Sequence, residues 1–155
     1  MEMPRFNDDR HGQPYCHVNG MGERYSDTDA RVNRVVKYDL CVDPSAAVEG
    51  AVRRATAQAD GTNGDGASAA PPSWRARVQE WFTPRHYPSE PIFVPRPNAT
   101  REDDGVVLVV ALDGTRGLSY LLVLDATNMT TLATSYSPVV IPYDVHGQFI
   151  TADEP

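Results

Sequence analysis

The chain has 155 residues, enough for one domain with a core of useful size, and carries a net charge of -7 with a pI near 4.9. Its 14 Lys and Arg are scattered and form no basic stripe, which excludes nucleic acid as the main partner, because phosphate binding needs clustered cations. The longest apolar run, Val106 to Leu112, is too short to span a bilayer, and "MEMPRFNDDRHG" holds no apolar leader, so the chain reads as soluble and cytoplasmic.

The first zone, Met1 to Asp43, is polar, with two extended pieces. "PYCHV" around Tyr15 to Val18 is one. "RVVKYDLCV", Arg34 to Val42, is the other, with apolar residues close to period two, as in a half-buried strand. Cys16 and Cys41 have neither metal-ligand nor redox spacing and read as two buried free thiols, which suits a reducing compartment.

Residues 44–73 are rich in Ala, Gly, Asp and Ser. Such a segment cannot bury enough apolar surface to offset its chain entropy, so it reads as a flexible insertion. Its first half, "SAAVEGAVRRATAQA", can hold a short helix, and the Gly-rich second half stops it.

From Trp74 onward the chain reads as ordered β structure. "IFV" (Ile92 to Val94), "VVLVVALDG", "LSYLLVLDA" and "TTLATSY" are four strands joined by "DDG", "TRG" and "TNM" turns. The two middle strands are apolar on nearly every residue, which predicts that both faces are covered. A four-strand meander buried on both sides is one blade of a β-propeller, and the chain holds strands for about two blades. Single blades need neighbours, so the sequence reads as all-β and as a piece of something larger.

The candidates for chemistry are few. His11, His17, His86 and His146 share no metal-ligand spacing. His11 reads as a turn residue, His17 as part of a strand, His86 as part of a loop, each exposed or merely satisfied. His146 lies in "VVIPYDVHGQFI" and needs partners for both ring nitrogens; spacing alone favours a core histidine bonded to backbone over a metal ligand. Glu90, in "HYPSEPIFVPRP", sits between Pro88 and Pro91 and is pushed toward an extended conformation. It is either a turn residue facing water or a carboxylate fixed to accept from a metal-bound imidazole, and composition does not choose between them. Glu102 to Asp104 read as an acidic hairpin turn, because calcium needs more oxygen ligands at set spacing. Asn98-Ala99-Thr100 and Asn128-Met129-Thr130 match the glycosylation sequon but read better as turns. No Ser-His-Asp set, phosphate loop or Cys-His nucleophile pair can be placed.

"YPSEPIFVPRPNATREDDGVVLVVALD", "SYLLVLDATNMTTLA" and "IPYDVHGQF" together resemble the C-terminal part of the carotenoid oxygenase family, and "MEMPRFNDDRHGQPYCHVNGMG" and "RVVKYDL" resemble the family segments before it. The resemblance covers most of Met1–Asp43 and Arg77–Thr151 and leaves out the insertion. It implies a seven-bladed β-propeller holding a non-haem ferrous iron, Fe(2+), on four histidines, some of them held by glutamates. His146 then matches the last iron ligand, and Glu90 and Glu2 match histidine-orienting glutamates. The implied reaction cleaves a carotenoid or apocarotenoid double bond with O2; isomerisation on the same fold, or a non-catalytic interaction module, is the alternative. The implied full-length protein makes peripheral membrane contact. No residue here matches the other three histidine ligands, so residues 1–155 are expected to be a C-terminal fragment of one propeller domain, inactive alone.

Overall fold

A computed structural model describes residues 2–24, 32–41, 78–142 and 146–150. The expected insertion at 44–73 and its short helix lie outside these residues. Two antiparallel sheets make up the described chain.

The first sheet runs in sequence order: β1 (Glu2–Arg5), β2 (His17–Arg24), β3 (Val32–Asp39) and β4 (Val78–Trp81). β2 and β3 pair over their full length, from His17 opposite Asp39 to Arg24 opposite Val32. β2 reaches well beyond the extended piece read at Tyr15 to Val18, and the Arg34 and Val36 side chains of β3 close over Gly22, where a Cβ would strike them. β1, β4 and the next strand, β5 (His86–Pro88), are short or carry proline, and local sequence does not announce them.

The second sheet holds β5, β6 (Ile92–Pro95), β7 (Gly105–Asp113), β8 (Leu118–Asp125) and β9 (Thr131–Tyr136). β6 to β9 are the four strands expected from the sequence, with the expected turns. The hairpin into β7 requires glycine: a Cβ at Gly105 would strike the Val94 carbonyl oxygen and the Phe93 ring. Asn98 stands at φ 61 in the turn before it, and the Asn128 side chain accepts from the Thr130 N–H, so both sequon asparagines act as turn residues.

Burial corrects one expectation. β7 alternates strictly between buried and half-buried residues. Its buried face, Val107, Val109 and Ala111, faces the same way as Leu124, Leu122 and Tyr120, their cross-strand partners. These pack on Val35 of the first sheet, with Trp81 and Phe93 at the margin. The other face, with Leu108 and Val110, is covered only in part, and every residue of β9 is exposed. Continuous apolar sequence marked two faces to be buried; the described residues supply cover for one.

The thiol expectation is overturned. Cys16 and Cys41 form a disulfide, with Cα atoms 5.1 Å apart. The reason is register: the His17–Asp39 pair closes the open end of the β2–β3 hairpin, and the Leu40 N–H donates to the Cys16 carbonyl just beyond it. Residues 25 apart in sequence become neighbours, and the free thiols from which a reducing compartment was expected are gone.

The acidic hairpin between β6 and β7 joins the two sheets. Glu102 accepts from the Cys16 and His17 N–H groups at 2.8 and 2.7 Å. Asp103 pairs at 2.8 Å with Lys37, a buried residue whose ammonium also donates to the Ala126 carbonyl at 2.7 Å.

Candidate functional site

Glu90 occupies a break in the sheet. Pro88 of β5 pairs with Ala111 and Ile92 of β6 pairs with Leu108, both on the same edge of β7. Three residues, Ser89, Glu90 and Pro91, therefore oppose two, Val109 and Val110: a β-bulge, the device that re-aims a side chain within a sheet. Ser89 seals it by donating to the Val110 carbonyl from both its N–H and its hydroxyl, each at 2.8 Å. Pro88 and Pro91 are fully buried around it and withhold backbone donors from the ladder.

The Glu90 side chain is only 4% exposed, so it requires partners, and it has three. Arg5 of β1 grips it as a fork, Nε to Oε1 at 2.8 Å and Nη2 to Oε2 at 3.1 Å. The Gly147 N–H donates to Oε2 at 2.9 Å. His146 Nδ1 lies 3.3 Å from Oε1. Burial pushes the carboxyl toward higher pKa, but the hydrogen bonds from Arg5, Gly147 and His146 outweigh it and hold Glu90 below the ordinary glutamate range. The reading of Glu90 as a turn acid facing water is thereby set aside.

His146 is not a core histidine. Its side chain is 72% exposed, and its partner is a carboxylate rather than backbone. The apolar residues of its stretch do not enclose it: Val139, Val140 and Ile150 are themselves exposed. With Nδ1 turned toward Glu90, Nε2 is the nitrogen facing away from the carboxylate and the one that could take a metal. Gly147 beside it passes close to Ile92, 2.9 Å from where a Cβ would stand. Behind the pair lies a pocket of about 220 Å3, floored by Ile92, Leu108, Val110 and Leu121 and flanked by Ile141 and Phe149. Ser119 holds its rim, donating to the Ile141 carbonyl at 3.0 Å and accepting from its N–H at 2.9 Å.

The remaining candidates lie elsewhere. Glu2 is exposed on β1, and no hydrogen bond or ion pair joins it to Glu90 or His146 among the described residues. His11 is an exposed turn residue near Asp8. His86 opens strand β5 rather than lying in a loop, and its Nδ1 meets the Tyr120 hydroxyl at 2.7 Å. Burial pushes Tyr120 up to about 12, so this phenol stays protonated. His17 stands 3.8 Å from Asp103 at the junction of the sheets. No group of three or more His, Cys, Asp or Glu that could hold a metal occurs among the described residues. His146 thus fits one ligand position of a metal centre, and the described residues do not provide the rest. Arg5 is the participant that no sequence pattern signals: it lies 85 residues from Glu90, and only tertiary structure joins them.

Residues 1–151 match the family described as retinal pigment epithelial membrane protein. The human beta,beta-carotene 15,15'-dioxygenase is 30% identical over 153 residues, covering 97% of this chain and 21% of its own length. The mitochondrial carotenoid-cleaving dioxygenase of Mustela putorius furo is 46% identical over 72 residues, 46% of this chain and 13% of its own. Among solved structures, cobalt-substituted Synechocystis ACO superimposes with a TM-score of 0.65 at 25% identity, covering 95% of this chain and 24% of that one. The chain thus spans about an eighth to a quarter of the proteins it matches. The solved relatives are seven-bladed β-propellers, of which this chain covers a part. The match along nearly the whole sequence and the shared fold place the chain in the retinal pigment epithelial membrane protein family, that of the carotenoid oxygenases.

Proposed function

We propose that the protein containing this chain cleaves a carbon–carbon double bond of a carotenoid or apocarotenoid with O2, each carbon of the alkene leaving as a carbonyl. The observation that carries the reading is the contact between buried Glu90 and His146, at the positions where the family resemblance calls for a ligand and its orienting carboxylate. His146 would hold ferrous iron through Nε2, together with ligands outside the described residues, and Glu2 would orient one of those. Iron supplies the redox chemistry that lets dioxygen react with an alkene. The chain's own part is positional. Glu90 fixes the tautomer and direction of the imidazole, and the pocket presents an apolar surface to a polyene. At about 220 Å3 it takes a stretch of polyene rather than a whole carotenoid.

The test is turnover of β-carotene by the full-length protein with ferrous iron under labelled O2. Label in the carbonyl products, lost in His146→Ala, supports the reading. Geometric isomers with no label would move the protein to the isomerase alternative, and neither product would favour the interaction module. Residues 1–155 alone are expected to give no turnover. Peripheral membrane contact belongs to the same proposal; no helix among the described residues is long and apolar enough to cross a membrane.

A further inference from the structure

We infer that Arg5 is a positioning residue of this site, a fork that fixes the Glu90 carboxylate and the His146–Gly147 backbone as one unit. The inference rests on the reading of His146 as a metal ligand. Three segments distant in sequence meet at this guanidinium: β1, the bulge at Glu90, and the segment at Gly147. Nε and Nη2 take one carboxylate oxygen each, and Nη2 also donates to the Gly147 carbonyl at 2.9 Å. The Gly147 N–H closes the ring by returning to Oε2. The backbone beside His146 is thereby held on both its donor and its acceptor side.

Oε1 is shared. Arg5 Nε lies 2.8 Å from it and His146 Nδ1 3.3 Å. The shorter contact sets the direction of the carboxylate, and the exposed imidazole follows it. A buried carboxylate requires a charged partner, and Arg5 is the cation paired with this one. Only a planar fork bridges two carboxylate oxygens and a carbonyl together; lysine carries the charge without that geometry. Nor is Arg5 needed merely to join the sheets. Lys37 with Asp103, and Glu102 with the Cys16 and His17 N–H groups, already do so through the β6–β7 hairpin.

The experiment compares Arg5→Met, Arg5→Gln and Arg5→Lys with Glu90→Gln, His146→Ala and, as an inter-sheet control, Lys37→Met, all in the full-length protein. Three quantities are measured: melting temperature, equilibrium affinity for ferrous iron, and the visible spectrum of the cobalt(II)-substituted protein, which reports ligand geometry without turnover. Arg5→Met and Arg5→Gln are expected to weaken metal binding about 10-fold and alter the cobalt spectrum, with Arg5→Lys restoring only part. Lys37→Met should lower the melting temperature and leave affinity and spectrum unchanged. Wild-type affinity and spectrum in Arg5→Met and Arg5→Gln, alongside loss in Glu90→Gln, would overturn the role of Arg5 and leave the metal-site reading standing. Equal loss in Lys37→Met would also overturn it, as general loosening. Iron retained by His146→Ala would sink the site reading itself.

Discussion

Lys37 shows how a single residue's environment is decided away from its own strand. It lies in the period-two strand as an ordinary polar position, yet it is 4% exposed, with its ammonium on Asp103 and the Ala126 carbonyl. Removing Lys37 leaves the Asp103 carboxylate with only the exposed Arg101 and the more distant His17 beside it, so Lys37→Met is expected to cost about 3 kcal/mol, the low end for breaking a buried pair, in denaturant unfolding. The pH dependence has a definite sign. Burial pushes Asp103 up, but the Lys37 hydrogen bond and charge outweigh it, so its folded pKa lies below the ordinary aspartate value of 3.8. A depressed carboxylate stabilises above the unfolded value and loses that contribution as pH falls through the folded one. Unfolding free energy measured from pH 6 down to pH 2 should therefore drop below about pH 4 in wild type, and less steeply in Lys37→Met. At the site, Glu90→Gln keeps the shape and loses the charge, and a 10–100-fold loss of iron affinity at equilibrium is the expected outcome.

Among the elements, strand identity was legible and cover was not. β6 to β9 could be read because apolar runs of strand length are punctuated by Gly- and Asn-bearing turns. β1, β4 and β5 could not, because each is short and, unlike the equally short β6, none is an apolar run set off by turn residues. The Glu90 bulge was half legible: flanking prolines announced a constrained carboxylate, but a bulge is defined by the residues opposite it, here Val109 and Val110, and those belong to another strand. Pairing also decided the cysteines, since closure of β2 on β3 is what makes Cys16 and Cys41 neighbours. Loss of this link in Cys16→Ser or Cys41→Ser should cost about 2–4 kcal/mol, and a thiol reagent should label neither cysteine before reduction. At the β6–β7 hairpin, Gly105→Ala drives a methyl into the Val94 carbonyl and the Phe93 ring, so a loss of more than about 1 kcal/mol is expected by thermal unfolding.

For the molecule as a whole, the half-covered face is the dominant fact. Leu132, Val139, Val140 and Ile150 are each more than half exposed, and β9 offers its whole length to solvent. Apolar surface of this kind marks an interface, and in a propeller the interface is the next blade. Residues 1–155 purified alone are expected to self-associate in sedimentation and to bind an apolar dye, which the full-length protein should not do.

The sequence by itself determined the all-β class, the blade-like meander and the odd mounting of Glu90, while family resemblance marked His146 as a ligand and Glu90 as an orienting carboxylate. The first three are local properties: side-chain period, turn chemistry and proline stiffness act over a few residues. Tertiary structure decided the disulfide, the inter-sheet role of Glu102 and Asp103, the exposure of His146 and the grip of Arg5. Each depends on register between strands or on which sheet faces which, and such contacts join residues tens of positions apart that no local pattern relates.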